Sequence, residues 1–263
     1  MGRRPFKEKN MRGKRKIPSL IFPMKTLCLM LALILLSGCT AGEEATKTGE
    51  EDTATEEEVI IVKDFGNIKA GDTVYFGSLD HDGKSETEKE ELAWLVLAVE
   101  GKKALMITSE GVDSQQFNVE ALATDWEKCS LREWLNGKFL SEVFTEEEVL
   151  QVAVTTLPWE ANPSYTTPAG KTAEDKLFLL SISEAEKYFA SDEARLCKPT
   201  SIATLHGVYA DEENGACPWW LRNQGSVAEC AALVTEFGVV DHSGDGVYCE
   251  GSAVRPAMWI NLA

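Results

Sequence analysis

The sequence predicts an α+β domain over residues 59–263, built as a small, twisted antiparallel sheet with helices inserted in the middle. Apolar runs typical of strands come first, helix-start signals follow in the central part, and short strands separated by glycine-containing turns return in the last third. Of all residues, 44% are hydrophobic and 26% are charged, which supplies enough apolar surface for one sizeable core.

The first group of strands opens with a short strand over Thr73–Gly77. Two apolar runs, Leu92–Val99 and Lys103–Thr108, are joined across Glu100–Lys102 and predict a β-hairpin. Because Leu92–Val99 is apolar at every position, we expect this strand to be buried on both faces.

Capping boxes mark the central helices. Ser130–Glu133 and Thr145–Glu148 each place a hydroxyl three residues before a glutamate, which is a signal for a helix N-terminus. Gly137 weakens the first of these helices. Residues 157–175 contain three prolines and predict a long loop, after which Ser183–Glu186 predicts the cap of a further helix.

The remaining strands lie on either side of that last helix. An apolar strand over Leu177–Leu180 precedes the helix. Glycine-containing turns separate the strands that follow it, which are Trp219–Arg222, Ala231–Thr235, Val239–Val240 and Ala253–Leu262.

Residues 1–38 have the order of a secretory signal peptide. Lys25 precedes the apolar run Leu27–Leu36, which as a helix would rise only about 15 Å, half of a bilayer core. Leu36–Cys39 (L-S-G-C) resembles the lipobox of bacterial lipoproteins, in which a diacylglyceryl group is attached to the cysteine and cleavage exposes its amine. We therefore expect lipidation of Cys39 and a lipid-anchored location on the extracytoplasmic face of the cell membrane; an uncleaved N-terminal anchor is the alternative.

The segments on either side of the signal carry no fold information. Residues 1–23 are a basic extension, and Met1 and Met24 are both candidate starts. Residues 39–58 are acidic and lack aromatic and large aliphatic side chains, so they cannot bury apolar surface. We expect them to form a disordered tether between the lipid and the domain.

The charge argues against nucleic acid as a partner. The whole chain carries −17 and residues 1–38 carry +8, so the part from Cys39 onward carries −25. Such a surface repels phosphate backbones and anionic lipid headgroups. We expect the mature protein to contact the membrane through the lipid on Cys39 alone.

Neither a metal nor another cofactor is expected. Asp241–Gly246 alternates oxygen-bearing side chains as the first half of a calcium loop does, but Ser252 occupies the position that needs a bidentate glutamate. We interpret this segment as a polar hairpin turn and Asp80–Gly83 as a similar turn. Three scattered histidines argue against a zinc centre.

The cysteines beyond Cys39 are odd in number, so at least one has no partner within the domain. Export permits disulfides, and Cys217, Cys230 and Cys249 lie among the terminal strands, where we expect one pair. The pairing stays open among Cys129, Cys197, Cys217, Cys230 and Cys249.

Aromatic and basic side chains are the candidate ligand-binding residues. Tryptophan faces stack on sugar rings, which makes Trp159, Trp219 and Trp220 candidates. Because neighbouring strand residues point to opposite faces, we expect at most one of Trp219 and Trp220 at a surface. Arg222 and Arg255 lie within apolar strands, where a charge needs a partner, either a buried carboxylate or an anionic ligand group.

A series of short motifs extends over about residues 73–262. The motifs are Tyr75–Gly77, Trp94–Leu97, Trp126, Ser130–Asn136, Phe139, Phe144, Phe178–Ser181, Glu184–Ala185, Trp219–Arg222, Gly238–Val240 and Val254–Ala257. In this order they resemble an uncharacterised domain family of exported bacterial proteins. The closing W-W-L-R and V-R-P-A motifs are similar to the end of C-type-lectin-like folds, including the formylglycine-generating-enzyme branch, and that likeness implies a recognition platform.

The leading hypothesis is a non-catalytic recognition domain for a glycan or a cell-envelope polymer, with Trp219, Trp220, Arg222 and Arg255 as candidate binding residues and no catalytic residue assigned. One alternative is a cell-envelope enzyme, a hydrolase that uses carboxylates. The other is a scaffold that binds envelope proteins.

Overall fold

The computed structural model describes residues 61–80 and 89–263, all within one compact unit that spans Thr55–Ala263. The predicted signal peptide, the lipidation of Cys39, the tether and most of the Asp80–Gly83 turn lie outside the described residues. Within the described ranges, no helix is long and apolar enough to cross a membrane. The domain is a mixed α/β structure, mostly of strands with few helices, around a curled antiparallel sheet.

The elements follow the predicted order of strands, helices and strands. The strands are β1 (Thr73–Leu79), β2 (Glu90–Glu100), β3 (Lys103–Thr108), β4 (Asp113–Ser114), β5 (Thr155–Leu157), β6 (Ala173–Asp175), β7 (Trp219–Gln224), β8 (Cys230–Val234), β9 (Val240–Gly246), β10 (Ala253–Val254) and β11 (Ala257–Asn261). The helices are α1 (Ser130–Trp134), α2 (Leu140–Val143), α3 (Glu146–Gln151), α4 (Ile182–Tyr188), α5 (Asp192–Arg195) and α6 (Ser201–Leu205).

The first sheet has the strand order β1-β2-β3-β11, with every pair antiparallel. The predicted hairpin is confirmed: Glu100 pairs with Lys103 across a turn in which Gly101 has a φ of 58°, a left-handed conformation that suits glycine. The expectation that β2 is buried on both faces is only partly correct. Trp94 is fully buried, whereas Leu95 on the opposite face is half-buried.

The second sheet has the order β4-β10-β7-β8-β9, and β7 at its centre is buried along its whole length. β10 runs parallel to β7 and the other pairs are antiparallel. The single strand expected over Ala253–Leu262 is divided at Arg255 and Pro256, because proline has no N–H for a sheet ladder. The end of the chain therefore joins both sheets, through β10 and β11.

Two of the three predicted helix starts need correction. The capping box of Thr145 and Glu148 is confirmed at α3. Ser130 does not cap α1, because its hydroxyl accepts a hydrogen bond from the backbone N–H of Val119 instead. The cap of α4 is Ser181, two residues earlier than expected, and it forms a capping box with Glu184.

Gly137 lies in a π-helical turn, Leu135–Phe139, that connects α1 and α2 without a break. The helix is thus wider at the glycine and does not end there. Leu135 and Phe139 remain buried on either side of Gly137, so the continuous helix still contributes to the core.

Two further expectations are wrong in detail. Leu177–Leu180 is fully buried but forms only an isolated bridge, between Phe178 and Ala257, and not a strand. Asp241–Gly246 is not a hairpin turn but most of β9, which pairs with β8. The long loop between β5 and β6 is present, and the pairing of these two strands closes its base.

Candidate functional site

A polar recess lies where β7 meets the loop 158–172 and the segment that precedes α1. Asp125, Trp159, Glu160, Lys171, Arg222 and Gln224 are among the residues that line it. The recess contains about 20 Å³ of free space, and about 10–15 Å³ is enough for one water molecule. In this state it therefore admits a single small group.

Two acceptor atoms in this recess are buried without a hydrogen-bond partner among the described residues: Asp125 Oδ1 and Gln224 Oε1. Each residue is only 9% exposed. Gln224 uses its amide nitrogen, which donates to the carbonyl of Thr124 at 2.6 Å. The other oxygen of Asp125 lies 3.9 Å from the exposed ammonium of Lys128. Buried acceptors are nearly always satisfied, so two in one recess indicate a place for a donor.

Trp159 is half-buried where the loop lines the recess. Gly170 packs directly on its indole: a Cβ added at Gly170 would lie 2.9 Å from Trp159 Nε1 and 3.1 Å from Asp125 Oδ2. Only glycine allows this approach without a shift of the ring. The loop thus holds an aromatic side chain close to the carboxylate of Asp125.

Arg222 is the predicted site residue that lines the recess, and it has the carboxylate partners expected for a buried charge. Its guanidinium pairs with Glu160 at 3.1 Å and with Glu184. It also donates to the carbonyl of Leu179 at 3.0 Å. Glu160 accepts in addition from the hydroxyl of Ser183 at 2.8 Å, so the cluster joins the loop 158–172 to α4 and β7.

The other predicted ligand-binding residues, Trp219, Trp220 and Arg255, lie in the core. Trp219 and Trp220 are both 0% exposed, so neither ring face is open to solvent. Their indole N–H groups donate to the carbonyls of Arg195 and Gln115. Arg255 is 2% exposed and, among the described residues, has no carboxylate partner. It donates to the carbonyl of Thr108 at 2.9 Å and lies over the ring of Trp219.

A serine, a histidine and a glutamate form a hydrogen-bonded relay near the same loop. Ser164 Oγ lies 2.6 Å from His242 Nδ1, and His242 Nε2 lies 3.3 Å from Glu186 Oε1. In the tautomer with the proton on Nε2, the ring donates to Glu186 and accepts from the hydroxyl of Ser164. These are the residue types and contacts that activate a serine nucleophile.

A larger groove lies along α1. Its volume is about 630 Å³, and its wall includes Arg132, Asp175 and Cys129. Asp175 accepts from the indole of Trp126 at 2.8 Å and pairs with Arg132 at 2.8 Å. Burial raises the pKa of the Cys129 thiol to about 12, so this cysteine stays protonated and unreactive at neutral pH.

In the part of the chain that the structure describes, no group of three or more His, Cys, Asp or Glu side chains is arranged to hold a metal ion. Asp241 instead accepts hydrogen bonds from the backbone and side chain of Ser243, two residues along β9. His206 Nδ1 lies 2.6 Å from Asp113 Oδ1.

Sequence reasoning missed most of the site. Asp125 and Gln224 have no local motif, because their significance lies in lacking a partner in the folded chain. His242 was considered only as part of a calcium loop, and its contact with Ser164 joins residues 78 positions apart. Trp159 was a candidate, and its place in a proline-containing loop was the one available signal.

The fold and the recess define a mixed α/β domain that carries one long loop on a mostly antiparallel sheet. Residues 100–262, more than half of the chain, match a family described as a domain of unknown function, DUF6273, and the chain belongs to this family. This confirms the resemblance to an uncharacterised domain family. Comparison with curated proteins and with solved structures finds no match for the chain.

Proposed function

We propose that the chain is an exported lipoprotein, anchored by lipid on Cys39 to the extracytoplasmic face of the membrane. Residues 40–58 are the tether, and the domain is a non-catalytic, C-type-lectin-like module that recognises a glycan or a glycan-containing envelope polymer. The observation that carries the recognition role is the recess with two buried, unpartnered acceptors, Asp125 Oδ1 and Gln224 Oε1, beside Trp159.

The chemistry of the recess suits a sugar. An unpartnered carboxylate oxygen and an unpartnered amide oxygen both need hydrogen-bond donors, and sugar hydroxyls are donors at adjacent positions on one ring. Trp159 offers an indole face for the C–H face of the same ring. Because the free space is about 20 Å³, one hydroxyl group enters and donates to one of the two oxygens, while the ring stays outside on the indole.

The long loop supports the comparison with C-type-lectin-like folds. Residues 158–172 contact a five-stranded, mostly antiparallel sheet, and the strand that carries the W-W-L-R motif, β7, is central in that sheet. The loop is held by Glu160, Asn162 and Ser164, so it is a defined surface rather than a free linker. A fixed loop that presents an aromatic side chain is suited to recognition.

A glycan array and titrations with cell-wall fragments test the recognition role. Trp159→Ala and Gln224→Met should each weaken binding at least tenfold, because one removes the stacking face and the other an acceptor. Tyr75→Ala is the matched control, since Tyr75 is 50% exposed on β1 of the other sheet and its loss should leave binding unchanged. Absence of binding to every glycan and wall polymer, or equal loss in the control, would refute the proposal.

The anchor is tested separately from the ligand. Cys39→Ser should release the chain from the membrane fraction, because the tether and domain are too acidic to bind anionic headgroups. Metabolic labelling with an alkyne fatty acid should mark the unsubstituted chain and not the variant. A variant that remains in the membrane fraction would contradict the lipid anchor and would support an uncleaved N-terminal anchor.

A second candidate function, a cell-envelope ester hydrolase, is favoured by the relay of Ser164, His242 and Glu186. In this role His242 Nδ1 takes the proton of Ser164 as the serine attacks an acyl carbon. A fluorophosphonate probe should then label the chain at Ser164, and Ser164→Ala should abolish labelling while Ser226→Ala should not. No labelling above that of Ser164→Ala would exclude this candidate.

A further inference from the structure

Two cysteines on different elements contact each other inside the domain. Cys197 precedes α6, and Cys217 lies two residues before β7. The backbone N–H of Cys217 donates to the carbonyl of Cys197 at 2.7 Å, so the two residues are direct neighbours. Their exposed fractions are 2% and 0%. A backbone hydrogen bond between the two residues places their Cα atoms about 5–6 Å apart, within the range of a disulfide.

The surroundings assign different roles to the two sulfurs. The hydrogen bond from Cys217 lowers the pKa of Cys197, and the nearby guanidinium of Arg255 lowers it further. The same contact raises the pKa of Cys217. Cys197 is therefore the sulfur that carries negative charge more readily.

The other cysteines lack this arrangement. Burial raises the pKa of Cys129 to about 12, and it lies in the wall of the groove. Burial, with Asp245 adding, also raises the pKa values of Cys230 and Cys249, which disfavours their thiolates. Among the described cysteines, only Cys197 and Cys217 combine a direct backbone hydrogen bond between them with a cation, Arg255, that stabilises a thiolate.

We propose that Cys197 and Cys217 are joined by a disulfide bond in the exported protein. The proposal rests on the export part of the proposed function, because reduced compartments keep thiols free. It also specifies a pairing that the sequence leaves open among five cysteines, and it differs from the pair expected among Cys217, Cys230 and Cys249.

The oxidant is a disulfide, either of a small thiol such as glutathione or of an envelope thiol–disulfide oxidoreductase. While the chain folds and before Cys197 is buried, its thiolate attacks one sulfur of that disulfide, forms a mixed disulfide and releases one thiol. The thiol of Cys217 loses its proton and attacks Cys197 Sγ, which forms the intramolecular bond and releases the second thiol. The two cysteines lose two protons and two electrons, and the oxidant gains both.

The bond has a consequence for the recess. It closes the segment 198–216, which includes α6, and holds the start of β7. The far end of that strand supplies Arg222 and Gln224 to the recess. A covalent link at Cys217 therefore limits movement of the strand that positions both side chains.

Peptide mapping tests the bond directly. Trypsin does not cleave Lys198–Pro199, so Leu196–Arg222 contains both cysteines in one peptide. The full chain is extracted from membranes and unfolded with iodoacetamide but without reductant. The peptide should carry no alkyl group and weigh two hydrogens less than its reduced form. After cleavage beside Glu212, its halves should separate only on reduction. Cys129 should be alkylated and serves as the internal control.

A second arm separates failure of the bond from failure of export. The full chain is unfolded, reduced and refolded with glutathione disulfide, which makes oxidation independent of cellular location. The same unalkylated peptide is expected. If both cysteines are alkylated after refolding, the disulfide proposal is wrong. If the bond forms on refolding but the extracted chain has free thiols, the bond does not form in the cell, and the chain resides in a reduced compartment.

Thermal unfolding supplies a matched control. A reductant should lower the Tm of the oxidised chain by about 6–12 °C, the effect expected for a loop of this length in a domain of this size. The double variant Cys197→Ala and Cys217→Ala should show no response to the reductant. The double variant Cys230→Ala and Cys249→Ala should respond as the unsubstituted chain does, and loss of its response would contradict the assignment.

Discussion

Two buried aspartates flank Trp126 and should respond in opposite directions to the same substitution. Asp175 is fully used: it accepts from the Trp126 indole at 2.8 Å and from Arg132 Nε at 2.8 and 3.0 Å. The Asp125 side chain is 12% exposed, has one unpartnered oxygen and lies 3.9 Å from Lys128. We predict that Asp175→Asn destabilises the domain and that Asp125→Asn stabilises it.

The expected magnitudes follow from these contacts. In Asp175→Asn the new NH₂ group faces a donor, either the indole N–H of Trp126 or the guanidinium of Arg132. The charge that pairs with Arg132 is also lost. Removing one partner of a buried pair costs 3–5 kcal/mol, and because Arg132 is 27% exposed we expect about 3 kcal/mol. Asp125→Asn removes a buried charge whose ion pair, with the exposed ammonium of Lys128 at 3.9 Å, is long and weak, and leaves a neutral amide. The gain is about 1 kcal/mol, since a charged group costs more to bury than a neutral amide of the same shape.

Urea unfolding followed by far-UV circular dichroism measures both effects. At an unchanged m-value, the midpoint should rise for Asp125→Asn and fall for Asp175→Asn. In thermal unfolding the same changes correspond to about +2–4 °C and about −6–12 °C for a domain of this size. A fall of the Asp125→Asn midpoint that equals that of Asp175→Asn would show that Asp125 has a stabilising partner, and the argument for the recess would fail.

Three more predictions concern the loop, the ion cluster and the groove. Gly170→Ala should displace the Trp159 indole, seen as a shift of one resonance in fluorotryptophan NMR; an unchanged spectrum would contradict the close approach. Arg222→Lys keeps a charge but cannot bind both carboxylates at once, so it should cost about 2 kcal/mol in urea unfolding. Because the folded pKa of Cys129 is about 12 against an ordinary value of 9.0, the unfolded chain releases this proton first as pH rises. Stability should therefore fall above pH 9, and Cys129→Ala should flatten the profile between pH 9 and 12.

Local signals were sufficient for much of the fold. The hairpin of β2 and β3 was predictable because two apolar runs meet at a glycine that adopts a left-handed φ. The start of α3 was predictable because Thr145 and Glu148 satisfy each other within one turn of helix. The prediction that Ser130 caps α1 was wrong because its hydroxyl accepts a hydrogen bond from the backbone N–H of Val119, which lies outside the helix.

The site was less predictable, because it depends on contacts that are absent as much as on contacts that form. Neither the residue type nor the spacing of Asp125 and Gln224 distinguishes them from other polar residues before folding. Trp219 and Trp220 were predicted as candidate sugar-stacking residues, yet both side chains are fully buried and fill the core around β7. Arg222 was found because a charge inside an apolar strand requires a partner, whichever partner it is.

One loop underlies both candidate functions. Glu160, Asn162 and Ser164 alternate along it and bind Arg222, the carbonyls of Gln224 and His242, and the His242 ring. If these contacts only hold the loop in place, Ser164→Ala removes one of three attachments and should weaken glycan binding slightly. If Ser164 is a nucleophile, the same substitution abolishes turnover but leaves binding intact, because the recess lies at Trp159 and Gln224. The ratio of lost turnover to lost affinity in this variant therefore separates a recognition loop from a catalytic one.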